Sequence, residues 1–202
     1  MLVTFVAIPT RVLSDVFDFA PPDPKSSFDE VDDATRQGEI TSQVHTFLDN
    51  LHNHWGENPE RLRTSIASRA ERDEQGALVY LRNVGEHGVL EGYEFSGDSL
   101  VRGQYVIVQR PINGLNEFID YYTVLKKTLT EVFGQPVQDR VVWDNDLYRP
   151  VPDYWGVAVM MGHLHYQASW ETDEGTITLE LTGQQHSRLK LDYKSYRAGV
   201  QI

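Results

Sequence analysis

Trp170-Glu-Thr-Asp-Glu-Gly175 leads into Thr176-Ile-Thr-Leu-Glu-Leu-Thr182 and, after a short break, Leu189-Lys-Leu-Asp-Tyr193. In both runs every second residue is apolar, the period of a half-buried β-strand. Pairing Ile177, Leu179 and Leu181 with Tyr193, Leu191 and Leu189 gathers the apolar side chains on one face. Glu180 then meets Lys190 on the other face. A slip of one residue would mix the faces, so the register is well specified. Such an apolar face needs a cover, and an amphipathic helix upstream supplies one. Phe118, Tyr122, Leu125, Leu129 and Val132/Phe133 recur at helical spacing, and Gly134 and Pro136 stop the helix in the expected order. The expected fold class is α+β: antiparallel sheet or sheets of hairpins, with two main amphipathic helices packed on one side.

The second helix comes earlier. Ile40, Val44, Phe47, Leu51 and Trp55 form one stripe, with Gly56 placed to end it. Asn58-Pro59 then suits the start of a further helix toward Arg72, although Leu62 to Ala67 also reads as a strand. Ala77–Leu81 is a short buried strand. Val89–Phe95 and Leu100–Val108 form a hairpin turned by Gly97-Asp98. Val137–Trp143 and His163–Trp170 read as strands, with a short helix between them at about Pro152–Met161, its Trp155, Ala158 and Met161 on one side. Residues 20–39 hold prolines and the acidic run Asp29-Glu-Val-Asp-Asp33, the marks of a solvated loop. The stripe at 40–55 matches the helix at 115–133 position by position, which suggests a weak internal repeat inside a single domain, 1–202.

Composition narrows the function classes. There are 18 basic and 30 acidic residues, net −12. That balance excludes phosphate-backbone binding, which needs a basic stripe, and adsorption to an anionic membrane surface. A protein partner, and a basic one, suits it better. With no cysteine, disulfides, thiolate catalysis and Cys-based zinc sites are excluded. Leu2–Ile8 is apolar but makes a poor signal peptide and is too short to span a bilayer; a buried first strand is expected there. The chain is expected to be soluble, in cytoplasm or periplasm.

The hairpin Tyr93–Leu100, the helix end Val132-Phe133-Gly134-Gln-Pro136, Trp170 with Thr176-Ile-Thr-Leu, and Leu191-Asp-Tyr193-Lys-Ser195 together resemble a widespread group of uncharacterised bacterial domains. These occur in envelope or secreted proteins and carry an aromatic-Gly-x-Pro helix end and a closing Thr-x-Ile-x-Leu…Leu-x-Tyr hairpin. The resemblance covers about half the chain, residues 90–195. It implies an α+β sandwich and brings no catalytic residues with it.

Few residues point to chemistry. His45, Asp49 and His52 share one helix face and would suit Zn²⁺ or a similar ion; the same types also suit a solvated face. His163 and His165, two apart on a strand, are candidate metal ligands or an acid–base pair, or else a polar patch beside Tyr166 and Trp170. Asp144-Asn-Asp146 resembles part of a Ca²⁺ loop but lacks its glycine and distal glutamate. No nucleophile elbow, phosphate loop or dinucleotide fingerprint is present. Tyr148, Tyr154, Trp155 and Tyr196 are expected to cluster near Pro150 and Pro152, around a loop, and are candidates for an interface. The reading that follows is a non-enzymatic interaction module, of an immunity or envelope-accessory kind, with no cofactor. A metal-dependent enzyme using His163/His165 or His45/Asp49/His52 is the alternative.

Overall fold

The computed structural model describes residues 33–66, 72–74, 77–84, 87–108 and 116–196. The expected first strand at 2–8 and the acidic residues Glu30 and Asp32 lie outside the described residues. The first helix, α1 (Asp33–His54), starts earlier than its apolar stripe announces. Residues 33–39 were expected in a loop. Acidic side chains favour the positive end of a helix dipole, so the acidic run suits a helix start as well as a solvated coil. Ile40, Val44, Phe47 and Leu51 are fully buried as their spacing requires. Next comes α2 (Pro59–Ser65), with the Asn58 side chain accepting from the Arg61 N–H. It stops short of Arg72 because Ile66 is already extended.

Four strands follow: β1 (Arg72–Glu74), β2 (Ala77–Val84), β3 (His87–Ser96) and β4 (Ser99–Val108). A second set follows. It comprises α3 (Glu117–Phe133), β5 (Gln138–Trp143), α4 (Trp155–Met160), β6 (Leu164–Glu171), β7 (Gly175–Gly183) and β8 (Ser187–Ser195). Both long helices stop at glycines of positive φ, Gly56 (φ 76) and Gly134 (φ 80).

The described strands form one antiparallel sheet in the order β1-β2-β3-β4-β8-β7-β6-β5. The last strand of each set lies in the middle. At that seam Gln104 faces Asp192, flanked by Gly103 opposite Tyr193 and Tyr105 opposite Leu191. The closing hairpin has the register expected from its alternation, with Ile177 opposite Tyr193 and Glu180 opposite Lys190. Lys190 Nζ lies 2.6 Å from Glu180 Oε2.

Helices α1 and α3 cover the same side. Phe47 packs between Tyr93 and Tyr105, and Tyr122 meets Tyr166. No helix among the described residues is long and apolar enough to cross a membrane.

Two charged groups are held within this frame. On the helix side, Tyr80, Glu91 and Tyr105 lie side by side across β2, β3 and β4. Glu91 is 2% exposed. One of its oxygens takes Arg82 Nε at 2.8 Å, and the other, Oε2, has no hydrogen-bond partner among the described residues. Burial raises the Glu91 carboxyl above the ordinary range, with Arg82 opposing. On the opposite side, Arg102 grips Asp192 through Nε (2.8 Å) and Nη2 (2.6 Å), and Gln104 adds a third bond to that carboxylate. Burial alone would raise the Asp192 carboxyl; the guanidinium fork outweighs it and holds the group below its ordinary value.

Candidate functional site

The two sets of strands differ most at one connection. Strands β1 and β2 are separated only by residues 75 and 76, whereas β5 and β6 are separated by residues 144–163. Connections in compact domains are mostly about 4–6 residues long, and binding residues are disproportionately carried on connecting segments. This one holds α4, two 3₁₀ turns (Asp146–Tyr148 and Pro152–Tyr154) and most of the sequence-nominated aromatics.

Side chains and tight backbone approaches hold the excursion in place. Asn116 precedes α3; its Oδ1 accepts from Gly156 N–H at 2.8 Å and its Nδ2 donates to Pro152 O at 3.0 Å. Its side chain therefore ties the excursion to the helix instead of capping α3. His163 N–H donates to Ala158 O, and Asp144 N–H donates to His163 O. Asn145 Oδ1 accepts from Leu147 N–H and starts the first turn. Gly183, at the end of β7, lets α4 lie directly against the strand: a Cβ there would run into Val159 O and Met160 Cα. Gly183→Ala is therefore expected to cost about 1–3 kcal/mol, the scale of an overpacked interior. It should also lift α4, disturbing the edge-to-face pair of Trp143 and Trp155 (5.7 Å). Urea melts followed by tryptophan fluorescence would read both; an unchanged midpoint and spectrum would refute the close approach.

Within this frame the aromatics divide into packed and displayed. Tyr148 stacks on Tyr154 (6.3 Å, 15°) and on His163 (5.8 Å, 26°). Tyr148 and Trp155 pack against the core, and Trp155 Nε1 donates to Arg149 O. Tyr154 is exposed, as are Leu147, Val151 and Met161 on the same segment. Met161 was expected on one side of the short helix with Trp155 and Ala158; α4 buries Gly156, Ala158 and Val159 and ends before Met161. Tyr196 does not join the group. It follows β8, where its N–H donates to Glu174 O at the start of β7, and the excursion lies at the other end of that hairpin.

Some of the nominated ionisable groups find local partners. His165 Nδ1 lies 2.9 Å from Asp144 Oδ2, and Arg149 lies 3.1 Å from Asp146. The Asp144/Asp146 pair considered for calcium is thus engaged with a histidine and an arginine. His163 leaves Nδ1 buried without a hydrogen-bond partner among the described residues. His45, Asp49 and His52 are exposed on α1. Among the described residues no three His, Asp or Glu side chains converge in a way that could hold a metal ion.

Sequence reading missed Leu147, Val151 and Met161. Leu147 and Val151 are apolar residues in a stretch without periodicity, and that was the available signal; Met161 was read into the spacing of the short helix, which ends before it. Neither a family model, a curated protein nor a solved structure matches the chain, and its function is therefore read from its own geometry.

Proposed function

We propose that the chain is a non-enzymatic protein-binding module that takes its partner on the excursion between β5 and β6. The observation that carries this is the display of Leu147 (66% exposed), Tyr154 (53%), Met161 (52%) and Val151 (43%) on one anchored segment. Grouped exposed apolar side chains mark interaction sites. A surface held rigid before binding spends less free energy on ordering, and stacked tyrosines are typical anchors. The net charge of −12 favours approach of a basic partner.

The test places a photo-crosslinking amino acid at Tyr154 and, as a control, at Asp49 on the exposed side of α1, in cells where the chain is native. One discrete crosslinked protein at position 154, absent at 49, is expected. Leu147→Ser should reduce its yield about tenfold, as at an interface hot spot. Identical products at both positions, or none at 154, would sink the reading.

A further inference from the structure

Strand β5 is the outermost strand of the sheet, and on its far side no described strand pairs with it. The opposite edge, β1, is three residues long, whereas β5 runs for six. Short or charged edges keep other chains off a sheet; a longer open edge is a template for one more strand. The donor from Asp144 N–H to His163 O sets the phase of the β5–β6 ladder. Alternation along an antiparallel pair then turns the N–H and C=O of Asp139 and Val141 outward, away from β6.

Side chains along the edge are as suggestive as its backbone. Val141 lies on the helix side, opposite Tyr166, yet is 54% exposed. Val137, just before β5, is 60% exposed, and Val132 at the end of α3 is 53% exposed. On the other side stands Arg140, opposite Gln167. It is exposed and forms no ion pair with any described residue, in a chain where acidic residues outnumber basic ones. Lys126, by contrast, is paired with Asp139, and Arg149 with Asp146.

We infer that the β5 edge accepts an extended segment of a partner protein as an added strand. That segment is aliphatic where it lies beside Val141 and carries a carboxylate on the opposite side, within reach of Arg140. Backbone hydrogen bonds from Asp139 and Val141 supply affinity; the valine and the arginine set register and choice. The inference rests on the protein-binding reading and gives it a mode: the strand docks on β5 and the residues beyond it reach the excursion that β5 runs into.

The experiment selects displayed random ten-residue peptides on the full chain, then measures the winning peptide in solution. The selected sequences should alternate, with aliphatic residues at every second position and Asp or Glu on the other face. Val141→Pro removes an outward N–H and no ladder bond, so it should leave the melting curve in place and weaken the peptide at least tenfold. Arg140→Glu, on an exposed side chain, should weaken it similarly and regain binding to a peptide in which lysine replaces the carboxylate. Absence of any selected peptide, or peptides indifferent to both substitutions, overturns the inference. A dimer of the chain that Val141→Pro dissolves would assign the edge to a second copy and overturn it too. If the crosslink at Tyr154 persists while β5 proves inert, strand addition fails and the binding module stands; loss of both removes both.

Discussion

Trp170→Ala is expected to remove about 3–5 kcal/mol of stability, the range for deleting a large buried aromatic. Trp170 is 1% exposed, on the helix side of β6 opposite Ile177. Its Nε1 donates to Gly134 O at 2.9 Å, and that glycine ends α3. One side chain thus fills space beneath the helix and ties down the carbonyl at its end. Removing the ring leaves a cavity that the flanking strands, fixed by their ladder, cannot close. Trp170→Phe separates the two roles: it keeps most of the volume and loses the bond. Gly134 is exposed, so water can replace the donor, and the loss should be nearer 1 kcal/mol. Urea unfolding of the pair would decide. An alanine variant as stable as the phenylalanine one would mean that the site collapses and that the packing account is wrong. With domains of this kind stable by about 5–15 kcal/mol, the alanine variant should be close to the margin.

The second large effect concerns Arg82. Arg82→Ala strips the buried Glu91 of its described ion-pair partner and is expected to cost about 3 kcal/mol at neutral pH, at the low end for orphaning a buried charge because Arg82 itself is part-exposed (29%). The penalty should depend on pH. A carboxyl raised on folding binds more protons in the native state than in the unfolded one across the interval between its two values. Its contribution to stability is therefore greatest below the unfolded value and declines as pH rises toward the folded one. Glu91 already lies on that side, through burial. Without Arg82 the folded value rises further, so the gap between variant and parent should open as pH climbs through the parent's own raised folded value and narrow below it. Asp192 works in the opposite sense: its depressed value adds stability above the unfolded value, lost as pH falls through the folded one. Being common to both proteins, it cancels in the difference. Chemical denaturation of parent and variant at pH 4 and pH 7 measures this; an equal gap at both would show that Glu91 is not the source. Glu91→Gln in the Arg82→Ala background should recover part of the loss at pH 7.

Local periodicity made much of the fold legible. The register of β7 and β8 followed from alternation because only one pairing places Ile177, Leu179 and Leu181 beside Leu189, Leu191 and Tyr193. The stripes of α1 and α3 followed from 3.6-residue spacing. What local sequence could not show was which distant strands meet: nothing near Gln104 announces Asp192 as its neighbour. Glu91 was also hidden, since strand alternation turns it toward the helices although its chemistry suggests solvent. At the excursion, Tyr148, Tyr154 and Trp155 were found by their aromaticity. Their division into packed and displayed rings depends on Asn116 and Gly183, which act from outside the segment. Tyr196 was misplaced because closeness in composition does not measure distance along a hairpin.

The seam at the middle of the sheet governs how the chain gets there. Apart from it, each strand pairs with a neighbour in sequence, across a hairpin or the single excursion. The β4–β8 pairing alone must close a loop on the order of 80 residues, with the entropy such closure costs. Contacts of long sequence separation slow folding, so this zipper, with the Arg102–Asp192 fork as its clasp, is the natural bottleneck. Hairpins on either side can form early and independently. The chain's native topology is decided when its two innermost strands find each other.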